Sequence, residues 1–451
     1  MKTKVHSNLL KQQTIHVNPI QEYRKRTDVA FIVIFGIIFW FWISITFQAL
    51  VYPTVFEFIN ECDLDCAVID KKGYILFDVE DIELNFTWIF LLCTVVAGIV
   101  AIVYMFLLFQ PKIGYAIIYI AVIILFSSIF TNFTGMIMLF KGYSYTIIIL
   151  FSLFLLLYIV YQTVVLYCFG KVGVKPILKI IEDSCRTLLF YPSCLLFVLF
   201  MSVLIILIFS LSLYALKHIP TYYVRKSHIV TYYAIEIFGA IVVVGFITNF
   251  TQLVISGFVI DCFWTTNKNL VLGFSVKKNI KRALSYHMGT VSFGSIPLLP
   301  NVCAIIQACC CESDTDGIPK NDNIFIRFFS QVSLIINIRD FALIQTTIYG
   351  SNYTNSIITA IDLASQNSKL NLAVIEISNV IVMIGIVLTI LPFEVEKLYF
   401  AMYSIPVPYF IILITAFRSL LVNQMIMQNT SKPTKRLIVA QKSSTPPMYY
   451  V

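Results

Sequence analysis

Long apolar runs joined by short polar links make up most of this chain. A helix rising 1.5 Å per residue needs about 20 apolar residues to cross the hydrocarbon core of a bilayer, and runs of that length recur almost from end to end. The pattern predicts membrane helices over Val29–Tyr52, closed by Pro53, then over Phe86–Phe109, Ile113–Leu139, Tyr145–Phe169, Tyr191–Leu216, Tyr232–Trp264 and Tyr286–Ala308. The last of these is interrupted by Pro297 and Pro300. Two more close the bundle near Val374–Leu391 and Met402–Val422. Between Val174 and Leu189 the spacing changes: Ile177, Ile180, Ile181 and Leu188 recur at helical intervals among Lys175, Lys179 and Arg186, which predicts an amphipathic helix at the membrane interface.

Charge sets the orientation. The stretch 1–28 carries Lys2, Lys4, Lys11, Arg24, Lys25 and Arg26 against Glu22 and Asp28, and no secretory leader is expected in it. From Arg418 onward come Arg418, Lys432, Lys435, Arg436 and Lys442 with no acid. Positive flanks stay in the cytoplasm, so both ends lie on one side and the number of spans is even. The moderately apolar Phe325–Leu363, with Arg327, Arg339, Asp340 and Asp362, then supplies a tenth span. Lys268, Lys277, Lys278, Lys281 and Arg282 mark a cytoplasmic basic loop. The predicted organisation is a cytoplasmic tail 1–28, a transmembrane domain 29–427 with an external acidic loop 55–85, and a cytoplasmic tail 428–451. That loop holds nine acids against Lys71 and Lys72. It places Cys62 and Cys66 in an oxidising compartment as a candidate disulfide, two free thiols being the other reading. The Asn85-Phe86-Thr87 sequon beside it makes Asn85 a glycosylation candidate.

Composition agrees with this. Apolar residues are 59% of the chain and charged residues 12%, against roughly 25% charged in soluble domains. The mean hydropathy is +0.86. The fold class is all-α, a polytopic membrane helical bundle of about ten transmembrane helices. The net charge of +8 sits in tails and loops, where it speaks of topology and not of nucleic acid. Eleven scattered cysteines form no disulfide framework.

No metal, phosphate or nucleophile motif is present, so neither an enzyme nor a cofactor is expected, and permeation is the better reading. In Phe39-Trp40-Phe41-Trp42, Trp40 and Trp42 are candidates to hold a quaternary ammonium, because such a group is bound by aromatic faces at roughly 0.5–2 kcal/mol per contact; packing or lipid contact is the plainer reading. Asp261 lies inside an apolar run, where an acid costs about 2.5–3.5 kcal/mol to insert. It offers attraction to a cation, or pairs with Lys268 or Lys278. Glu236 is expected at the interface. Tyr286 and His287 precede Gly289, and His287 offers a titrating group for proton coupling or a hydrogen-bonded helix start. Gln252, Ser256 and Gly257, with Thr290, Ser292, Gly294 and Ser295, suit close helix packing first and a pathway second. The tail residues Pro446-Pro447-Met448-Tyr449 fit a Pro-Pro-x-Tyr ligand for a cytoplasmic partner.

At these residues the chain resembles the choline transporter-like family. Tyr286-His287-Met288-Gly289-Thr290-Val291-Ser292-Phe293-Gly294-Ser295 is similar to that family's Tyr-His-Leu-Gly-Thr-Val-Ala-Phe-Gly-Ser signature. Gln252–Gly257 resembles its Gln-Met-Val-Ile-Ala-Gly segment. Arg26-Thr27-Asp28-Val29 resembles its Cys-Thr-Asp-Val, and Ala342, Ile344, Ile348 and Gly350 echo a later run. The chain departs from the family at Phe341, Leu343 and Thr354, and in having no acid from Arg418 to Gln428. The resemblance implies ten spans, cytoplasmic termini and facilitated or proton-linked uptake of choline, sometimes ethanolamine; a small choline-like organic cation is the expected substrate and the plasma membrane the expected location. Phe293, inside the signature, joins the candidate substrate residues. Two readings stay open beside this one: a transporter or channel for another amine or lipid-related substrate, and a membrane scaffold working through its C-terminal tail.

Overall fold

A computed structural model describes residues 25–62, 85–139, 145–222, 226–264, 275–310, 324–390 and 407–431 of the chain. They form helices only: α1 (Val29–Cys62), α2 (Asn85–Phe109), α3 (Pro111–Leu139), α4 (Tyr145–Val172), α5 (Val174–Phe190), α6 (Pro192–Tyr222), α7 (Lys226–Trp264), α8 (Ser275–Tyr286), α9 (Met288–Ser295), α10 (Leu299–Cys310), α11 (Ile324–Ile336), α12 (Ile338–Tyr349), α13 (Tyr353–Gln366), α14 (Ser368–Ile390) and α15 (Val407–Ser431). The acidic stretch 63–84 with Cys66, the side chains of Cys62 and Asn85, and both tails, including Pro446–Tyr449, lie outside the described residues.

Among the described residues, six helices have a stretch long and apolar enough to cross a membrane: Val29–Val51 in α1, Pro111–Ile129 in α3, Ser152–Val172 in α4, Pro192–Ile219 in α6, Ile229–Trp264 in α7 and Ser368–Leu388 in α14. α9 and α10 together make a seventh, bent by 95°. The bend falls at Ile296–Leu298, where Pro297 removes a backbone donor and Leu298 takes a left-handed φ of 66°. Shorter apolar stretches lie in α2, α11 and α15 (Gly98–Phe109, Ile326–Ile336 and Leu413–Met427), where spans are expected. The protein is an all-helical polytopic bundle.

The bundle is built around α7, which packs on α1, α6, α8, α9, α12 and α15. Every residue from Ile247 to Ile260 is buried. A stretch that is apolar nearly all round belongs at the centre of its neighbours, and this half of α7 is enclosed by protein, while its first half exposes Val230, Ile237 and Ile241 and the outer helices present Phe47, Phe106, Ile123, Phe154 and Phe200 outward. The amphipathic helix predicted over 174–189 is α5. Its Ile177, Ile180, Ile181 and Leu188 are buried against α2, α3 and α15 while Lys175, Lys179 and Arg186 are exposed.

Three expectations need correction. The basic loop after Trp264 contains a helix, α8, whose Val276, Asn279 and Ala283 are buried on α7 while Lys277, Lys278 and Lys281 face out. Residues 325–363 are not one span: they break at Asn337 and at Gly350–Asn352 into α11, α12 and α13. Pro53 does not end α1, which runs on to Cys62, because a proline costs one hydrogen bond and the turns on either side carry the helix past it.

Candidate functional site

Two helix breaks meet beside the start of α1. The first separates α8 from α9 at His287, whose N–H donates to the Ala283 carbonyl at 3.0 Å and whose carbonyl accepts from Val291 at 3.0 Å. The second separates α12 from α13: Gly350, at φ 66°, closes α12 by donating to the Thr346 carbonyl at 2.8 Å, and Asn352 caps α13 by accepting from the Asn355 N–H at 3.0 Å. Only glycine takes that left-handed turn without cost. The segment before α1 bridges the two. Thr27 donates its N–H to the Tyr286 carbonyl at 3.0 Å, and its hydroxyl lies 3.2 Å from His287 Nδ1 and 2.7 Å from Thr290 Oγ1. Asp28 Oδ2 accepts from the Thr290 hydroxyl at 2.7 Å and from the Tyr353 N–H at 2.9 Å. One carboxylate thus serves the first turns of α9 and α13 and immediately precedes α1. Helix N-termini carry positive partial charge, so the Asp28 charge is taken up by three helix ends. Gly289 permits the approach: a Cβ there would lie 2.2 Å from the Asp28 carbonyl oxygen.

Against this clasp lies a cluster of aromatic rings. Phe293 packs edge-on to Phe31 at 4.4 Å between centroids and lies 4.7 Å from Tyr353; Phe35 stacks on Phe246 at 4.3 Å. Gly294 leaves the space where Asn249 Nδ2 and Tyr353 Cε2 sit, 3.0 and 3.4 Å from where a side chain would begin. Here the polar groups are incompletely satisfied. Tyr353 Oη, Asn249 Oδ1, Gln252 Oε1 and both amide atoms of Gln345 are buried without a hydrogen-bond partner among the described residues. Each such orphan costs about 1–3 kcal/mol. On the other side of the α8–α9 break, Leu253, Asn279, Arg282, Ala283, His287 and Thr347 line a cleft too narrow for a water molecule.

The candidates read from the sequence divide here. Phe293 and His287 are buried at the junction, and Gln252 is buried within α7. Tyr286 contributes its carbonyl, while its side chain is exposed. Trp40 is 69% exposed on the outside of the bundle. Trp42 points inward, and its indole N–H donates to Glu236 at 2.9 Å and to Ser212 at 3.2 Å. Glu236, expected at the interface, is fully buried and also accepts from Thr46 at 3.1 Å. Asp261 has a cation, Arg282, 3.9 Å away, and accepts from Asn279 at 3.0 Å; Lys278 is exposed on α8, and Lys268 lies outside the described residues.

Arg418 does not belong to a tail. It lies within α15, 4% exposed, and pairs with Asp340 of α12 while its other nitrogen donates to Asn337 at 2.6 Å and Asn379 at 3.0 Å. Close by, Glu376 of α14 accepts from Tyr161 and, at 3.1 Å, from Ser333. The sequence signal for this network was the charge of Asp340 and Arg418 inside apolar surroundings.

A family profile described as plasma-membrane choline transporter matches residues 142–440, from α4 through α15. The chain belongs to this family. It is a family of transporters and not of enzymes, and with the apolar helices it makes this a multi-pass membrane protein. A protein named choline transporter-like 2, from Anopheles gambiae, is 26% identical over 145 residues, a stretch covering 30% of this chain and 18% of that relative. The junction of α8–α9 with α12–α13 falls inside the family match, whereas Thr27 and Asp28, which close it, lie before the matched stretch.

Proposed function

We propose that this protein carries choline, or a choline-like small organic cation, across the membrane by alternating access, and that the substrate sits where the two helix breaks meet. The observation that carries the reading is the coincidence at one place of two broken helices, a cluster of aromatic rings and buried polar atoms with no partner. Broken helices with backbone turned into the protein interior are how many carriers build a substrate site. A quaternary ammonium donates no hydrogen bond, so the Phe31, Phe293 and Tyr353 rings suffice to hold it, and the unfilled oxygens of Asn249 and Gln252 suit the substrate's hydroxyl. Asp261, already paired, is not the attracting charge in this reading. His287, at the hinge and hydrogen-bonded to Thr27, is the group through which a proton gradient would act. The basic flanks favour cytoplasmic termini and ten spans, and the family's description favours the plasma membrane.

The test is uptake of labelled choline into proteoliposomes holding the purified protein, against empty liposomes, with unlabelled choline and ethanolamine as competitors. Saturable uptake, competed by choline and accelerated by choline inside the vesicle, is expected. Uptake that never saturates would replace the carrier by a channel. No uptake by folded protein would overturn the substrate assignment. A pH gradient of either sign that leaves the rate unchanged would remove His287 from the mechanism.

A further inference from the structure

We propose that the outer face of α8 binds acidic phospholipid headgroups of the leaflet it borders, and so sets the position of the α8–α9 hinge. The helix follows the membrane-length stretch of α7 and leads directly into α9. Its inner face, Val276, Asn279 and Ala283, is buried. Its outer face is divided along its length. Lys277, Lys278 and Lys281 are exposed over the first two turns, and none lies within ion-pair distance of an acid among the described residues. On the same face Leu284 is exposed over the last turn, at 51%. At 100° per residue, Lys277, Lys281 and Leu284 fall on one stripe. Cations followed by an apolar end on one face is the pattern of a helix lying in a headgroup layer, with the lysine ammonium groups reaching the phosphates and the apolar side chains entering below. The fourth cation, Arg282, is turned inward to Asp261, which shows that the outward placement of the three lysines is not a general consequence of basic sequence.

The consequence for the hinge follows from the contacts. The last residue of α8, Tyr286, holds the Thr27 N–H through its carbonyl, and the next, His287, touches the Thr27 hydroxyl. A headgroup that pins α8 therefore bears on the clasp around Asp28. A lysine near an anionic surface strengthens attachment roughly fivefold each, and salt weakens it.

The experiment uses the full chain in vesicles of phosphatidylcholine alone or with phosphatidylserine added. Hydrogen exchange of the 275–287 backbone is followed beside choline uptake. Phosphatidylserine is expected to slow exchange in this segment at least severalfold at low salt. The effect should vanish in the variant Lys277→Gln/Lys278→Gln/Lys281→Gln, be retained in the Lys→Arg counterpart, and shrink at high ionic strength. Equal exchange in the two lipids would overturn the proposal, as would a response that survives in the glutamine variant with its fold intact. The lipid-binding part does not rest on the transport reading: lipid-dependent protection without any choline uptake would sustain it while sinking the substrate assignment. The hinge part rests on that reading, and uptake unchanged by a lipid that protects α8 would remove it.

Discussion

Two buried polar regions of this bundle differ in one respect. Around Arg418 the chemistry is nearly closed: the guanidinium meets Asp340, Asn337 and Asn379 and leaves only its Nε without a partner among the described residues, and Glu376 meets Tyr161 and Ser333. At the α8–α9 and α12–α13 breaks it is open: Asn249, Gln252, Gln345 and Tyr353 keep atoms with no partner among the described residues. Both regions cost free energy to bury. The closed one recovers the cost within the fold and holds helices together. The open one leaves the cost standing, which is tolerable where a ligand is to arrive. Polarity inside a membrane is therefore a weak guide to function until one asks whether its hydrogen bonds are already made.

Breaking the closed region should have the largest effect. Arg418→Met leaves Asp340 with only the more exposed Arg339, 3.5 Å away, and should destabilise the protein by up to about 3–5 kcal/mol. Thermal unfolding in detergent measures it, and the double change Arg418→Met/Asp340→Leu should recover most of the loss. Next comes Gly289→Ala, which sets a methyl group 2.2 Å from the Asp28 carbonyl. It should displace the start of α1 and cut uptake by roughly tenfold or more, at an overpacking cost of about 1–3 kcal/mol. Tolerance of alanine there would mean that the clasp is not fixed during transport.

The open region should respond in the opposite sense. Gln252→Leu and Tyr353→Phe each remove an orphaned polar atom, so stability should hold or rise by about 1 kcal/mol while KM for choline rises. Phe293→Leu should weaken choline by about 2- to 30-fold, the range of one cation–π contact, with little change in melting. If these variants lose stability and keep affinity, the open region is scaffold. The smallest effect belongs to Trp40→Ala, which alters an outward ring and should leave melting within about 0.5 kcal/mol. Asp261→Asn should change choline affinity by no more than about threefold, because Arg282 already balances that charge.

Much of the fold was legible in the sequence. The apolar runs of α1, α3, α4, α6, α7 and α14 announce themselves by length, α5 by its period, and the bend between α9 and α10 by Pro297. Less visible were features set by partners far along the chain. Asp28 read as a flanking charge because its partners Thr290 and Tyr353 are 262 and 325 residues away. Arg418 read as the start of a tail because positive residues usually mark a cytoplasmic end, and only Asp340, 78 residues back, explains its burial. Glu236 looked interfacial by position and is instead surrounded by Trp42, Thr46 and Ser212. The breaks at Asn337 and Gly350 carry no proline. Of the residues of the proposed site, Phe293, His287 and Gln252 lie in the signature segments, while Phe31, Asn249, Gln345 and Tyr353 were not read from the sequence because nothing local sets one apolar or amide residue apart from its neighbours.

The carboxylate of Asp28 also constrains how the protein is made. The backbone N–H it accepts from belongs to Tyr353, made 325 residues later. At about 5–20 residues per second, some 16–65 s separate the appearance of the two. During that interval α1 must wait in the bilayer with the partners of Asp28 unmade, and the clasp cannot close before α13 is present. Release of a chain that ends before α13 would leave α1 with no final seat, and such truncated products should be cleared by quality control instead of accumulating as a partial bundle.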